Sequence, residues 1–181
     1  MKNFYVFTGP PGAGKTTTLE ALASRGLHTV PEAGRAILKE QSFLRAGAPL
    51  ERQLYAELQL SRAAFDHARS ASIDRFVIFD RSVVDIIAGM EMDGLSVPQH
   101  VRRAAKLYRY NDAVFFFPLW PEIYTNDKER RQRLDEAQAT EAACRRAYLS
   151  AGYRLIDVPK TDVLQRVEWI ASKLAGAGQV D

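Results

Sequence analysis

A short apolar run, Phe4-Tyr5-Val6-Phe7-Thr8, leads directly into Gly9-Pro10-Pro11-Gly12-Ala13-Gly14-Lys15-Thr16, and a segment with helical periodicity follows at once. No other feature constrains the chain as much, because G-x-x-x-x-G-K-[ST] between a strand and a helix is the phosphate-cradling P-loop. The residue types follow from the chemistry. Glycines let consecutive backbone N–H groups turn inward toward a polyphosphate, and the helix that begins at the end of the loop presents its positive dipole end to the same charge. Lys15 is expected to bring an ammonium to the β and γ phosphates, and Thr16 a hydroxyl to Mg²⁺. Thr17 reads either as an α-phosphate donor or as a helix-surface threonine. The expected ligand is Mg-ATP.

The rest of the chain repeats the strand-then-helix alternation. Arg75–Phe79, Ala113–Phe117 and Tyr153–Val158 are further short runs rich in aromatic and β-branched residues, and Leu27–Pro31 is a weaker one. Between them, Leu19, Leu22 and Ala23 form one helical face closed by Gly26. The segment beginning at Pro49 places Leu54, Leu58, Phe65 and Ala68 near one another, and the last helix gathers Val163, Val167, Ile170 and Leu174 behind the N-cap candidate Thr161. Strands joined by helical crossovers run parallel, so the expected fold is an α/β doubly wound sandwich whose ligands sit at the carboxyl ends of the strands. In 181 residues one core is the default. The reading is therefore a single domain over 1–175, with a lid segment near 125–140 and a tail at 176–181.

Composition narrows the partners. With 46% hydrophobic residues, 26% charged residues and a net charge of +3, the chain carries neither a disordered composition nor an extended basic stripe for nucleic acid. A lone cysteine, Cys144, allows no internal disulfide and reads as a buried helix residue, while His28, His67 and His100 fall in no metal or triad spacing. The first apolar run is too short for a signal segment and none reaches membrane length, so the expectation is a cytoplasmic protein without membrane insertion. Its oligomeric state stays open.

Other candidate residues stand where strands end. Phe76-Val77-Ile78-Phe79-Asp80 has the form of a Walker B strand, which positions Asp80 to hold Mg²⁺ or to accept a substrate proton, or simply to cap the next helix. Arg81 follows where motor ATPases carry a second acid, so Asp80-Arg81-Ser82 points to phosphoryl transfer, with Arg81 on substrate or in a surface ion pair. Glu32, after the weak second strand, is a candidate base or a dipole-favoured acid at a helix start, and Arg35 lies three positions on. Asp85 is a further acceptor-site candidate. In Asn126-Asp127-Lys128-Glu129-Arg130-Arg131-Gln132-Arg133, lid arginines would close over the phosphates, Arg130 foremost with Arg131 beside it. The same residues also make i,i+4 pairs suited to a solvated helix.

With Pro-Glu-Ala-Gly-Arg at 31–35, Phe-Asp-Arg-Ser with Asp85, Leu-Trp-Pro-Glu-Ile-Tyr at 119–124, Asn-Asp-Lys-Glu-Arg-Arg, and Gly-Tyr-Arg-Leu-Ile-Asp-Val-Pro at 152–159, nearly the whole chain resembles the small bacterial ATP-binding proteins known as AAA-domain predicted ATPases. These are similar in turn to the ribosylnicotinamide kinase domain and to thymidylate kinase-like folds. The resemblance implies a three-layer, P-loop kinase-like fold with about five parallel strands in the order 2-3-1-4-5. The chain departs from motor ATPases in having Arg81 rather than an acid after Asp80 and no additional helical lid domain, and it lacks Asn-Lys-x-Asp for guanine. The functional expectation is a kinase that phosphorylates a nucleoside- or nucleotide-like small molecule. The alternative is a nucleotide-dependent switch acting on a protein or lipid partner.

Overall fold

Side chains alternate across a strand, and that alternation sorts this sheet's residues onto two cores. The computed structural model describes residues 3–121 and 134–177. In β1 (Phe4–Thr8) all five residues are buried: Phe4 and Val6 enter one core, Tyr5 and Phe7 the other. β3 (Val77–Asp80) and β4 (Ala113–Phe116) divide in the same way, with Val77, Phe79, Val114 and Phe116 on the first side and Ile78 and Phe115 on the second. Strands buried on both faces need helices on both faces.

The expected five-stranded parallel sheet is present in the order β2-β3-β1-β4-β5, with β2 (His28–Val30) and β5 (Arg154–Asp157) at the edges. α1 (Lys15–Ser24) and α7 (Val163–Ala177) cover the Tyr5 side through Leu19, Leu22, Val167, Ile170 and Leu174. The Phe4 side is covered by α3 (Arg52–Arg69), α4 (Val83–Met92), α5 (Gln99–Leu107) and α6 (Leu134–Ser150). α2 (Gly34–Leu44) buries little beyond Gly34 and Ile37. Cys144 lies buried in α6 as a free thiol, and burial pushes its pKa up to about 11, with Asp85 adding to the effect.

Three local readings need correction. On α3, Leu54 and Phe65 are exposed; the buried side carries Ala56 and His67, with Leu60 and Ala63 packed beside them, so the helix is rotated away from the face of Leu54, Leu58, Phe65 and Ala68. On α1, Leu19 and Leu22 are buried but Ala23 is exposed. At α7 the cap is Asp162, whose Oδ1 accepts from the Gln165 backbone N–H at 2.9 Å, and not Thr161.

Candidate active site

The loop after β1 is held by its neighbours as much as by its own sequence. Gly9, Gly12 and Gly14 have φ of 127°, 76° and 85°, which lie in the region that favours glycine. At Gly9 a Cβ would stand 2.3 Å from the Phe117 carbonyl oxygen, so the strand end of β4 closes directly over the loop. Pro10, Pro11 and Ala13 are buried, Gly12 is exposed, and Gly14 forms the left-handed N-cap of α1. Thr16 and Thr17 stand exposed in the first turn of α1.

Lys15 folds into this loop. Its Nζ donates to the Gly9 carbonyl at 2.9 Å and the Pro10 carbonyl at 2.6 Å. Burial, and then the Arg81 charge, push its pKa down to about 8, against the upward pull of Asp80, Glu32 and Asp85. A cation held this way weakens the protein and readies it for an anion. Below pH ~8 both folded and unfolded states keep the proton, and the burial cost, about 3 kcal/mol, is carried in full. Between pH 8 and 10.5 the folded state releases the proton first, so that cost is relieved as pH rises. A polyphosphate favours the ammonium, so the expected linkage with ligand runs the other way. Nucleotide binding at pH 8.5 is expected to take up a fraction of a proton, and affinity to fall by up to about tenfold per pH unit above 8. Calorimetry in two buffers of different ionisation enthalpy reads that uptake; identical heats in both would refute it.

Parallel pairing sets Phe7 of β1 against Asp80 of β3, so the loop and the aspartate emerge side by side. Asp80 Oδ2 accepts from Thr16 Oγ1 at 3.3 Å, while Oδ1 is buried and has no hydrogen-bond partner among the described residues. Burial raises the Asp80 pKa, opposed by Lys15 and Arg81. An orphaned carboxylate oxygen beside a hydroxyl, next to a phosphate loop, suits a hard divalent cation that completes its shell with phosphate and water.

Arg81 occupies left-handed backbone at φ 77°, a conformation costing an arginine about 1–2 kcal/mol. Two carboxylates hold it there: Nε donates to Glu32 Oε1 at 3.1 Å and Nη1 to Asp85 Oδ1 at 3.2 Å. Burial would lower the guanidinium pKa, but Glu32 and then Asp85 raise it well above the ordinary value. Asp85 is itself saturated. It accepts from Thr8 Oγ1 at 2.6 Å, Tyr148 OH at 2.5 Å and the Ser82 N–H at 2.8 Å, the last closing a capping box with Ser82 on α4. The structure therefore puts Asp85 beneath Arg81, tying β1, α4 and α6 to the guanidinium.

Glu32, Asp80, Arg81 and Asp85 line one cavity of about 310 Å³ at the carboxyl end of the sheet. Arg35, exposed on the first turn of α2, is not among its lining residues. Arg130 and Arg131 fall outside the described residues. Sequence reasoning missed the other wall, where Tyr55, Gln59, Ala63 and Asp66 of α3 lie at i, i+4, i+8 and i+11. That spacing was visible, but polar residues on a helix read as a solvated face. Gly34 shows how close the groups come. A Cβ there would meet Tyr55 OH at 2.5 Å, Glu32 Oε1 at 3.0 Å and Gln59 Nε2 at 3.4 Å. Also missed was Arg166 of α7, buried, which donates to the Ala13 carbonyl at 3.0 Å and the Pro159 carbonyl at 3.1 Å and lies 4.8 Å over the Trp120 ring. It braces the phosphate loop from the far side, and no sequence pattern marks it out. His67, by contrast, is a core histidine packed among Phe4, Phe79, Tyr108 and Tyr110, its Nε2 3.0 Å from the Arg109 carbonyl oxygen.

Among the described residues no helix is long and apolar enough to cross a membrane. Among the solved structures that share the fold are two kinases. Thymidylate kinase from Candida albicans superposes with a TM-score of 0.63 at 16% identity, covering 98% of this chain and 92% of its own. Deoxyadenosine kinase from M. mycoides, solved with dCMP and dCDP, superposes with a TM-score of 0.64 at 13% identity, covering 96% and 99%. No curated protein matches the chain. The model of a family described as an AAA domain matches residues 4–166, so this chain belongs to that AAA-domain family, as a P-loop nucleotide-binding fold resembling nucleoside and nucleotide kinases.

Proposed function

We propose that the chain is a small-molecule kinase that transfers the γ-phosphoryl group of Mg-ATP to a nucleoside- or nucleotide-like acceptor. One observation carries this reading: a half-open cavity, large enough for a small molecule, lined by Asp80 beside the phosphate loop and by Glu32 and Arg81. A protein that only hydrolyses ATP has no need of such a chamber next to the γ-phosphate position.

Lys15 and the loop amides would hold the donor. Thr16 and Asp80 would hold Mg²⁺, which when bound draws charge off the phosphate oxygens. With Asp80 committed to the metal and Asp85 saturated by Thr8, Ser82 and Tyr148, Glu32 takes the acceptor's proton. The acceptor oxygen forms a bond to the γ-phosphorus as the bond from that phosphorus to the bridging oxygen breaks. Its electron pair leaves with ADP, and the proton goes to Glu32. Arg81, fixed by Glu32 and Asp85, would place a permanent charge beside the transferring group.

The test measures ADP formation across nucleosides, nucleotides and small alcohols. Acceptor-dependent turnover is expected, and Glu32→Gln should lower it about 100-fold or more while the Kd for Mg-ATP stays within about twofold. Slow hydrolysis indifferent to every acceptor, together with a nucleotide-dependent protein or lipid partner, would replace the kinase reading with a switch.

A further inference from the structure

The charges around the acceptor cavity are lopsided. Glu32, Asp66, Asp80, Asp85 and Asp93 contribute five carboxylates, and among the described residues Arg81 is the one cationic side chain in its lining. Arg81 is already engaged by Glu32 and Asp85. Asp66 meets Arg69 and Asp93 meets Arg52, but those arginines do not line the cavity, and at 56% and 66% exposure their charges are screened by water. Lys15 lies inside the phosphate loop, committed to the donor. The N-terminus of α2 also opens here, with Glu32 standing immediately before it.

A phosphate-bearing acceptor needs the opposite arrangement, with a fork of arginine or lysine donors facing its dianion. Nothing along the α3 wall supplies one. That wall instead offers a hydroxyl from Tyr55, an amide from Gln59 and a carboxylate from Asp66, which suit hydroxyl or amino groups. We propose that the acceptor is a hydroxyl compound bearing no phosphate, neutral or cationic, held along the Tyr55–Gln59–Asp66 stripe of α3. This rests on the kinase reading and narrows it to the unphosphorylated member of each acceptor pair. Transfer then creates, inside a carboxylate-rich chamber, the dianion that its walls repel, so the same charge that selects the substrate speeds the product's departure.

Matched pairs test it: nucleosides against their 5′-monophosphates, and polyols and amino alcohols against their phosphate monoesters. Turnover with Mg-ATP is measured first. Binding to protein saturated with Mg²⁺ and a non-hydrolysable ATP analogue is then measured by calorimetry, a readout that survives even if the kinase reading fails. The free hydroxyl compound is expected to be favoured by about 100-fold or more over its phosphate ester, and Asp66→Asn to shrink that preference by about tenfold. Preference for phosphorylated members would overturn the inference while leaving a kinase. Equal affinity within every pair, or no association of any pair at millimolar concentration, would overturn it too.

Discussion

Replacing Lys15 with methionine should lower the proposed phosphoryl transfer by about a thousandfold while making the protein more stable. The two effects share one cause. The ammonium is buried against the Gly9 and Pro10 carbonyls, and desolvation has pushed its pKa down to about 8. Removing the charge removes a burial cost of about 3 kcal/mol. The two carbonyls lose a donor, at about 1 kcal/mol each, which offsets part of that gain, so the expected outcome is a small rise in Tm. Methionine keeps the length and apolar stem, so the loop does not collapse into a void. Steady-state kinetics with Mg-ATP and thermal unfolding are read on the same preparation. Unimpaired turnover would remove Lys15 from the chemistry. Lost turnover with a lowered Tm would mean that the lysine holds the loop together and that its buried charge is not a liability.

That coupling of function to strain explains what the sequence discloses and what it hides. The phosphate loop is legible because its chemistry is contiguous: Gly9 to Thr16 carry donor geometry, cation and metal hydroxyl within one turn of chain. Asp80 is legible because an apolar strand has only one end from which a side chain can reach a ligand, and the β1–β3 register makes that end adjacent to the loop. The resemblance supplied the strand order, which local pattern alone leaves open. α3 is where pattern reading failed. Leu54 and Phe65 mark the wrong side, because the buried face is built from Ala56, Leu60, Ala63 and His67, a single leucine among two alanines and a polar ring. The cavity wall beside it, Tyr55, Gln59 and Asp66, is also polar, and a cavity-facing polar stripe has the same periodicity as a water-facing one. Arg166 was hidden for another reason. Its partners, the Ala13 and Pro159 carbonyls, are backbone atoms that leave no mark in a sequence.

Gly9→Ala should be severely damaging, destabilising the chain by about 4 kcal/mol or more and abolishing nucleotide binding. Two terms combine at this position. The backbone sits at φ 127°, where an L side chain is strained, and the added Cβ would lie 2.3 Å from the Phe117 carbonyl oxygen and 3.1 Å from its carbon. Phe117 cannot yield cheaply, because its own N–H donates to the Thr8 carbonyl at 2.9 Å and so locks the end of β4 to β1. Any relief must come from the loop, which would swing its amides away from the position they cradle. Gly26→Ala separates the two terms. Gly26 has φ 87°, yet a Cβ there meets nothing within 4 Å, so it should cost only the backbone strain of about 1 kcal/mol and leave Mg-ATP affinity intact. Denaturant unfolding and nucleotide titration of both variants decide the matter. Equal losses of stability would mean that the contact with Phe117 contributes nothing, and retained ATP binding in Gly9→Ala would mean that the loop tolerates a displaced entry from β1.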